Sequence, residues 1–117
     1  MAEAVELRLQ GAGGGDVSAL YLSPAKARRL VILAHGAGAG MRHAFMQQLA
    51  DELASTGTAT YRYQFPYMEQ RRSRPDSPTV LTATVAAAVR AGSRLAPNLE
   101  KFSTSSETSR SISSRGV

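Results

Sequence analysis

Residues 29–40 read Arg29-Leu30-Val31-Ile32-Leu33-Ala34-His35-Gly36-Ala37-Gly38-Ala39-Gly40. The apolar run Leu30 to Ala34 shows no alternation, which suits a strand covered on both faces, as in a parallel sheet. His35 ends the run, and glycines follow at 36, 38 and 40. Downstream, Phe45, Met46, Leu49 and Leu53 recur at helical spacing, with Gln47, Gln48, Asp51 and Glu52 on the other face. Strand, glycine turn and helix in this order point backbone N–H groups at an anion. A resident phosphate or an oxyanion formed during a reaction would each suit that geometry.

The flanking segments build outward from this unit. Val5, Leu7 and Leu9 alternate with Glu6, Arg8 and Gln10, the pattern of a half-buried strand. Gly11 to Asp16 reads as a turn, and Val17 to Leu22 as the returning strand of an antiparallel hairpin. The Gly13-Gly14-Gly15 run opens a strand rather than a helix, so it is a hairpin tip and not a phosphate loop. Gly57 stops the first helix. Thr58 to Phe65 is a further strand, parallel to the first apolar run, with a right-handed crossover between them. Pro66 to Pro78 reads as a loop in which Ser77 caps a helix and Pro78 takes its first position. Val80, Leu81, Val85, Ala88 and Val89 mark that Ala-rich helix, which ends before Pro97. Hairpin, βαβ unit and helix together predict an α/β fold, the first half of a mixed sheet.

With 117 residues the chain allows one domain. The net charge of +5 raises the question of nucleic acid. The arginines are scattered, however: Arg28 and Arg29 precede a strand, Arg71, Arg72 and Arg74 lie in a loop, and Arg110 and Arg115 fall near the end. That distribution reads as a solvated surface. The absence of cysteine excludes disulfides, zinc–thiolate sites and a cysteine nucleophile. The N-terminus is charged and alternating, unlike a signal peptide, and no run reaches membrane-spanning length, so a cytoplasmic protein without a membrane partner is expected.

From Ser103 to Val117, seven of fifteen residues are Ser and two are Thr. Such composition suits a disordered tail. The expected division is a partial domain over residues 1–97 and a Ser/Thr-rich tail over 98–117, disordered or out of frame, with no further strand after the Ala-rich helix.

The glycine turn fits the nucleotide motifs poorly. Gly36 and Gly38 take the first two places of a Gly-x-Gly-x-x-Gly fingerprint, but the third falls on Met41. A P-loop requires Gly-Lys-Ser/Thr, and Gly40 is followed by Met41-Arg42. An oxyanion site fits better, because donors on a turn after a buried strand are rigid and lie at the carboxyl end of the sheet.

His35-Gly36-Ala37-Gly38-Ala39-Gly40-Met41, Phe45-Met46, Phe65-Pro66-Tyr67-Met68 and Arg74-Pro75-Asp76, at this spacing, resemble the α/β-hydrolase branch related to dienelactone hydrolases. That branch includes bacterial alpha/beta family hydrolases and, distantly, a subunit of the NSL histone-acetyltransferase complex and a testis-expressed homologue. The resemblance covers roughly residues 5–96. It implies hydrolysis of a small ester-like substrate through a Ser-His-acid triad, with an oxyanion hole at Ala37, shaped by Gly36 and Gly38. It implies no cofactor and no metal.

His35 precedes any nucleophile, whereas the triad His of this fold comes last in the chain, so His35 is expected to support the loop. His43 reads as a surface or capping group. Tyr67 and Met68 are candidates to line a substrate pocket, and Arg71, Arg72 and Arg74 to meet an anionic group. The nucleophile, acid and base have no counterpart here. Gly92-Ser93-Arg94 lacks the flanking glycines and preceding strand of a nucleophile elbow, and no His follows His43. The expectation is therefore a truncated hydrolase, inactive alone and prone to self-associate through an exposed sheet edge, with a non-catalytic binding or scaffold protein as the alternative.

Overall fold

The computed structural model describes residues 3–10, 15–36, 39–105 and 110–113. Its elements in chain order are β1 (Val5–Leu9), β2 (Val17–Leu22), β3 (Arg29–Ala34), α1 (Ala44–Ser55), β4 (Thr58–Tyr63), α2 (Pro66–Glu69), α3 (Pro78–Leu95), β5 (Glu100–Ser105) and β6 (Arg110–Ser113). The strands form one mixed sheet in the order β1-β2-β4-β3-β5-β6. β1 and β2 make the expected antiparallel hairpin, with Leu7 opposite Ala19. β3 pairs in parallel with β4, Ile32 opposite Tyr61, completing the βαβ unit.

The local signals act as their chemistry requires. The Ser77 hydroxyl accepts from the Val80 N–H, with Pro78 in the first turn, and α3 runs to Leu95. Gly57 ends the α1 connection at φ +82°, a left-handed conformation that suits glycine.

Register assigns the two faces of the sheet. Leu30, Ile32, Ala59, Tyr61 and Tyr63 point to the α3 side, where they form the core with Ala87 and Ala88. Leu20, Leu33, Thr60 and Arg62 point to the α1 side. The helices lie on opposite faces because successive crossovers run in opposite directions: β4 lies on one side of β3 and β5 on the other.

Four expectations are corrected. The sheet continues past residue 97, since β5 follows α3 and pairs in parallel with β3 from Arg29–Glu100 to Leu33–Thr104. Its positions facing α3 are Lys101 and Ser103, both buried, so no apolar run announces it. Lys101 is accommodated because its ammonium donates to the carbonyls of Pro97 and Leu99. Second, the loop after β4 contains the single turn α2, opened by Pro66. Third, β4 stops at Tyr63, two residues before the expected Phe65. Fourth, Phe45 is 62% exposed, because α1 turns Met46 and Ala50 inward. Residues 106–109 and 114–117 of the Ser-rich segment, and most of the hairpin tip at Gly11–Gly14, lie outside the described residues.

Candidate functional site

The turn after β3 leaves the sheet between two parallel neighbours, β4 on one side and β5 on the other. The connections from β3 and β4 depart to opposite faces here, which makes the carboxyl end of β3 the topological switch point of the sheet. Ligand crevices in open α/β sheets form at such points.

His35 is fully buried at the end of β3. Its Nε2 accepts from the Phe65 backbone N–H at 3.0 Å, so that nitrogen carries no proton. Nδ1 therefore holds the proton and donates to the Gly36 carbonyl at 2.9 Å. One neutral imidazole thus ties the first peptide of the turn to the segment leaving β4. The ring also meets Phe65 edge-on, with centroids 5.0 Å apart, and Tyr67 at 5.8 Å.

The far end of the turn is held from β4 and the residue beyond it. The Met41 N–H donates to Gln64 Oε1 at 2.9 Å. The Met41 carbonyl accepts from Arg62 Nη1 at 3.2 Å. Arg62 Nη2 donates to Gln47 Oε1 at 3.1 Å, and Gln47 Nε2 donates to Asp51 Oδ1 at 3.1 Å. Arg62 is fully buried, and its Nε has no hydrogen-bond partner. Burial pulls its guanidinium below the ordinary arginine value; Asp51 opposes this and Arg42 adds to it. Gly40 must be small, because a Cβ there would lie 2.7 Å from Gln64 Oε1 and 3.2 Å from Met68 Cγ. His43 caps α1, its Nδ1 accepting from the Phe45 N–H at 3.1 Å.

Of the sequence-predicted site residues, Gly36 lies beside the His35 clamp, while Ala37 and Gly38 lie outside the described residues. Tyr67 is 1% exposed, with its ring among His35 and Phe65. Met68 is half-buried beside Gly40. Within the arginine trio, Arg72 is committed to Asp76 at 3.0 Å and to Gln70 at 2.9 Å, and Arg71 and Arg74 are exposed. Asp76 also accepts from the Tyr67 N–H at 3.0 Å, supplying an acceptor to the first turn of α2.

Sequence reasoning missed Arg62, Gln64 and Gln47. The available signal was the position of Arg62: in a strand buried along its whole length, an inward arginine demands acceptors. Glu69 was missed as well. It joins α2 to the hairpin, accepting from the Ser18 N–H at 3.1 Å, the Ser18 hydroxyl at 2.9 Å and Arg8 at 3.0 Å. Among the described residues no helix is long and apolar enough to cross a membrane.

The sequence profile of the alpha/beta hydrolase domain family matches residues 27–101. No curated protein matches the chain. Among solved structures, an alpha-beta serine hydrolase homologue from Coxiella burnetii is 18% identical with a TM-score of 0.71, covering 86% of this chain and 50% of that one. A cold-adapted esterase from an Arctic intertidal metagenomic library is 18% identical with a TM-score of 0.71, covering 87% and 49%. Dienelactone hydrolase from Anabaena variabilis is 18% identical with a TM-score of 0.69, covering 89% and 52%. The chain thus spans about half the length of these structures.

Proposed function

Because the chain belongs to the alpha/beta hydrolase domain family, we propose that its glycine turn is the oxyanion-stabilising part of an ester hydrolase. The observation that carries this reading is the start of the turn at the switch point between β3 and β4, where His35 ties it down. In acyl transfer, negative charge develops on a carbonyl oxygen, and preorganised backbone N–H groups stabilise it by about 3 kcal/mol per donor. Ala37 is the proposed donor, with Gly36 and Gly38 leaving room for the substrate. His35 supports the turn. Its Nε2 lone pair is occupied by Phe65, so it is not poised to act as a base. Met68 would line the approach, and Tyr67 would support it from within the core.

These 117 residues contain no Gly-x-Ser-x-Gly elbow and no histidine after His43. The proposal therefore assigns them a binding role toward an oxyanion, with nucleophile, acid and base supplied from elsewhere. The alternative reading is a non-catalytic binding or scaffold protein. β1 and β6 are the outer strands of the sheet, and self-association through such an edge belongs to either reading.

Titration of the 15N-labelled chain with phenylphosphonate, a tetrahedral oxyanion, tests the proposal. Saturable amide shifts confined to residues 36–40 and stronger than those produced by inorganic phosphate are expected. Equal or stronger shifts with phosphate would move the assignment to phosphate binding. Absence of any shift would leave the scaffold reading.

A further inference from the structure

An open groove of about 270 Å³ lies between β1, at the edge of the sheet, and the last turns of α3. Leu7 and Arg8 line it from β1, Tyr61 from β4, and Ala91, Arg94 and Leu95 from α3. Ala91 contributes only a methyl group there, so α3 does not fill the gap to β1. Tyr61 is 1% exposed, and no group among the described residues hydrogen-bonds to its hydroxyl, yet unlike the Tyr63 hydroxyl it is not sealed from solvent. A buried phenol usually finds a partner, and the groove is where this one can meet it.

Arg94 is exposed at the rim and makes no ion pair among the described residues. Its charge reaches the phenol: burial raises the Tyr61 hydroxyl above the ordinary tyrosine value, and Arg94 pulls it back. The carbonyl end of α3 carries about half a negative charge, less than the unit charge of Arg94, so the rim stays positive. Arg8 adds little, because its guanidinium is taken by Glu69 and Ser18. The walls are apolar. Leu7 and Ala91 are half-buried, and Leu95 is 41% exposed. Val5, on the same face of β1 as Leu7, is 55% exposed, so open apolar surface gathers beside the cation.

We propose that this groove binds a small aliphatic monocarboxylate, its carboxylate accepting from the Tyr61 hydroxyl and the Arg94 guanidinium and its hydrocarbon chain lying on Leu7, Ala91 and Leu95. The volume falls just below the roughly 300–1,000 Å³ of small-molecule pockets, which limits the chain to medium length. Inorganic phosphate would leave the apolar walls bare, and an uncharged chain would leave Tyr61 and Arg94 unmet. The site is independent of the oxyanion reading, since none of its residues holds the glycine turn.

Titration of the 15N-labelled chain with sodium hexanoate at low ionic strength tests the proposal. Saturable amide shifts are expected at Leu7, Tyr61 and residues 91–95. Acetate keeps the charge without the tail, and hexan-1-ol keeps the tail without the charge, so each should bind at least about tenfold more weakly. Tyr61→Phe should weaken hexanoate binding about tenfold. Arg94→Gln changes an exposed position, spares folding, and should weaken binding about threefold. Acetate or hexan-1-ol binding as tightly as hexanoate, or unchanged affinity in Arg94→Gln, would overturn the proposal. So would shifts confined to residues 36–40, an absence of saturable shifts, or shifts that follow protein concentration instead of hexanoate, the mark of a second copy in the groove.

Discussion

Replacing His35 by Leu removes two hydrogen bonds and leaves the volume roughly filled. The Phe65 N–H loses its acceptor in a fully buried position, which costs about 1–3 kcal/mol. The Gly36 carbonyl is half-buried and can turn toward water, so its loss adds about 0.5 kcal/mol. The edge contacts to Phe65 and Tyr67 add about 0.5–1 kcal/mol beyond burial. Together the loss is about 2–4.5 kcal/mol. For a domain of this length that lowers Tm by about 4 °C per kcal/mol, or about 8–18 °C. His35→Gln is the informative partner, since its amide oxygen can reach the position of Nε2 and should recover about 1–2 kcal/mol. Urea unfolding of the three proteins, followed by circular dichroism, gives the energies. Hydrogen exchange at Phe65 reports the bond itself and should accelerate in the Leu variant. Equal stability of the Leu and Gln variants, or a loss below about 0.5 kcal/mol in both, would refute the assignment of His35 as the clamp.

Two further perturbations probe other contacts. Burial tends to raise the Glu69 carboxyl, but hydrogen bonds from the Ser18 N–H, Arg8 and the Ser18 hydroxyl outweigh it and hold the group below the usual carboxylate value. Its contribution is therefore fully present above the unfolded-state value and is lost as pH falls through the lower folded value. In an acid titration of stability, Glu69→Gln should flatten that limb and cost about 1 kcal/mol at pH 7; an unchanged acid limb would contradict the network. Gly40→Ala should displace the Gln64 amide from Met41 and cost about 1–2 kcal/mol, with faster exchange at the Met41 N–H as the specific sign.

The parts of the fold legible in the sequence are those governed by local rules. Alternation in β1, the continuous apolar run of β3 and the Ser77-Pro78 start of α3 each depend on neighbours a few residues away. β5 depends instead on the open edge of β3, and its inward Lys101 and Ser103 conceal it. Phe45 misleads for a related reason. Helical periodicity identifies a stripe, but only the packing against β4 decides that Met46 and Ala50 occupy its centre. The site divides the same way. His35 and Gly36 announce themselves by following a strand, whereas Arg62, Gln64 and Gln47 meet the turn from positions distant in sequence, where no local pattern links them.

On the proposed reading, residues 36–40 offer an oxyanion site without a nucleophile among these residues, and hydrolysis of p-nitrophenyl acetate by the purified 117-residue chain tests this. The expected rate is slow, rises linearly with substrate, shows no burst, and is the same in Gly36→Val. Saturable turnover that Gly36→Val abolishes would contradict it, because it would require a nucleophile within these residues working with the turn.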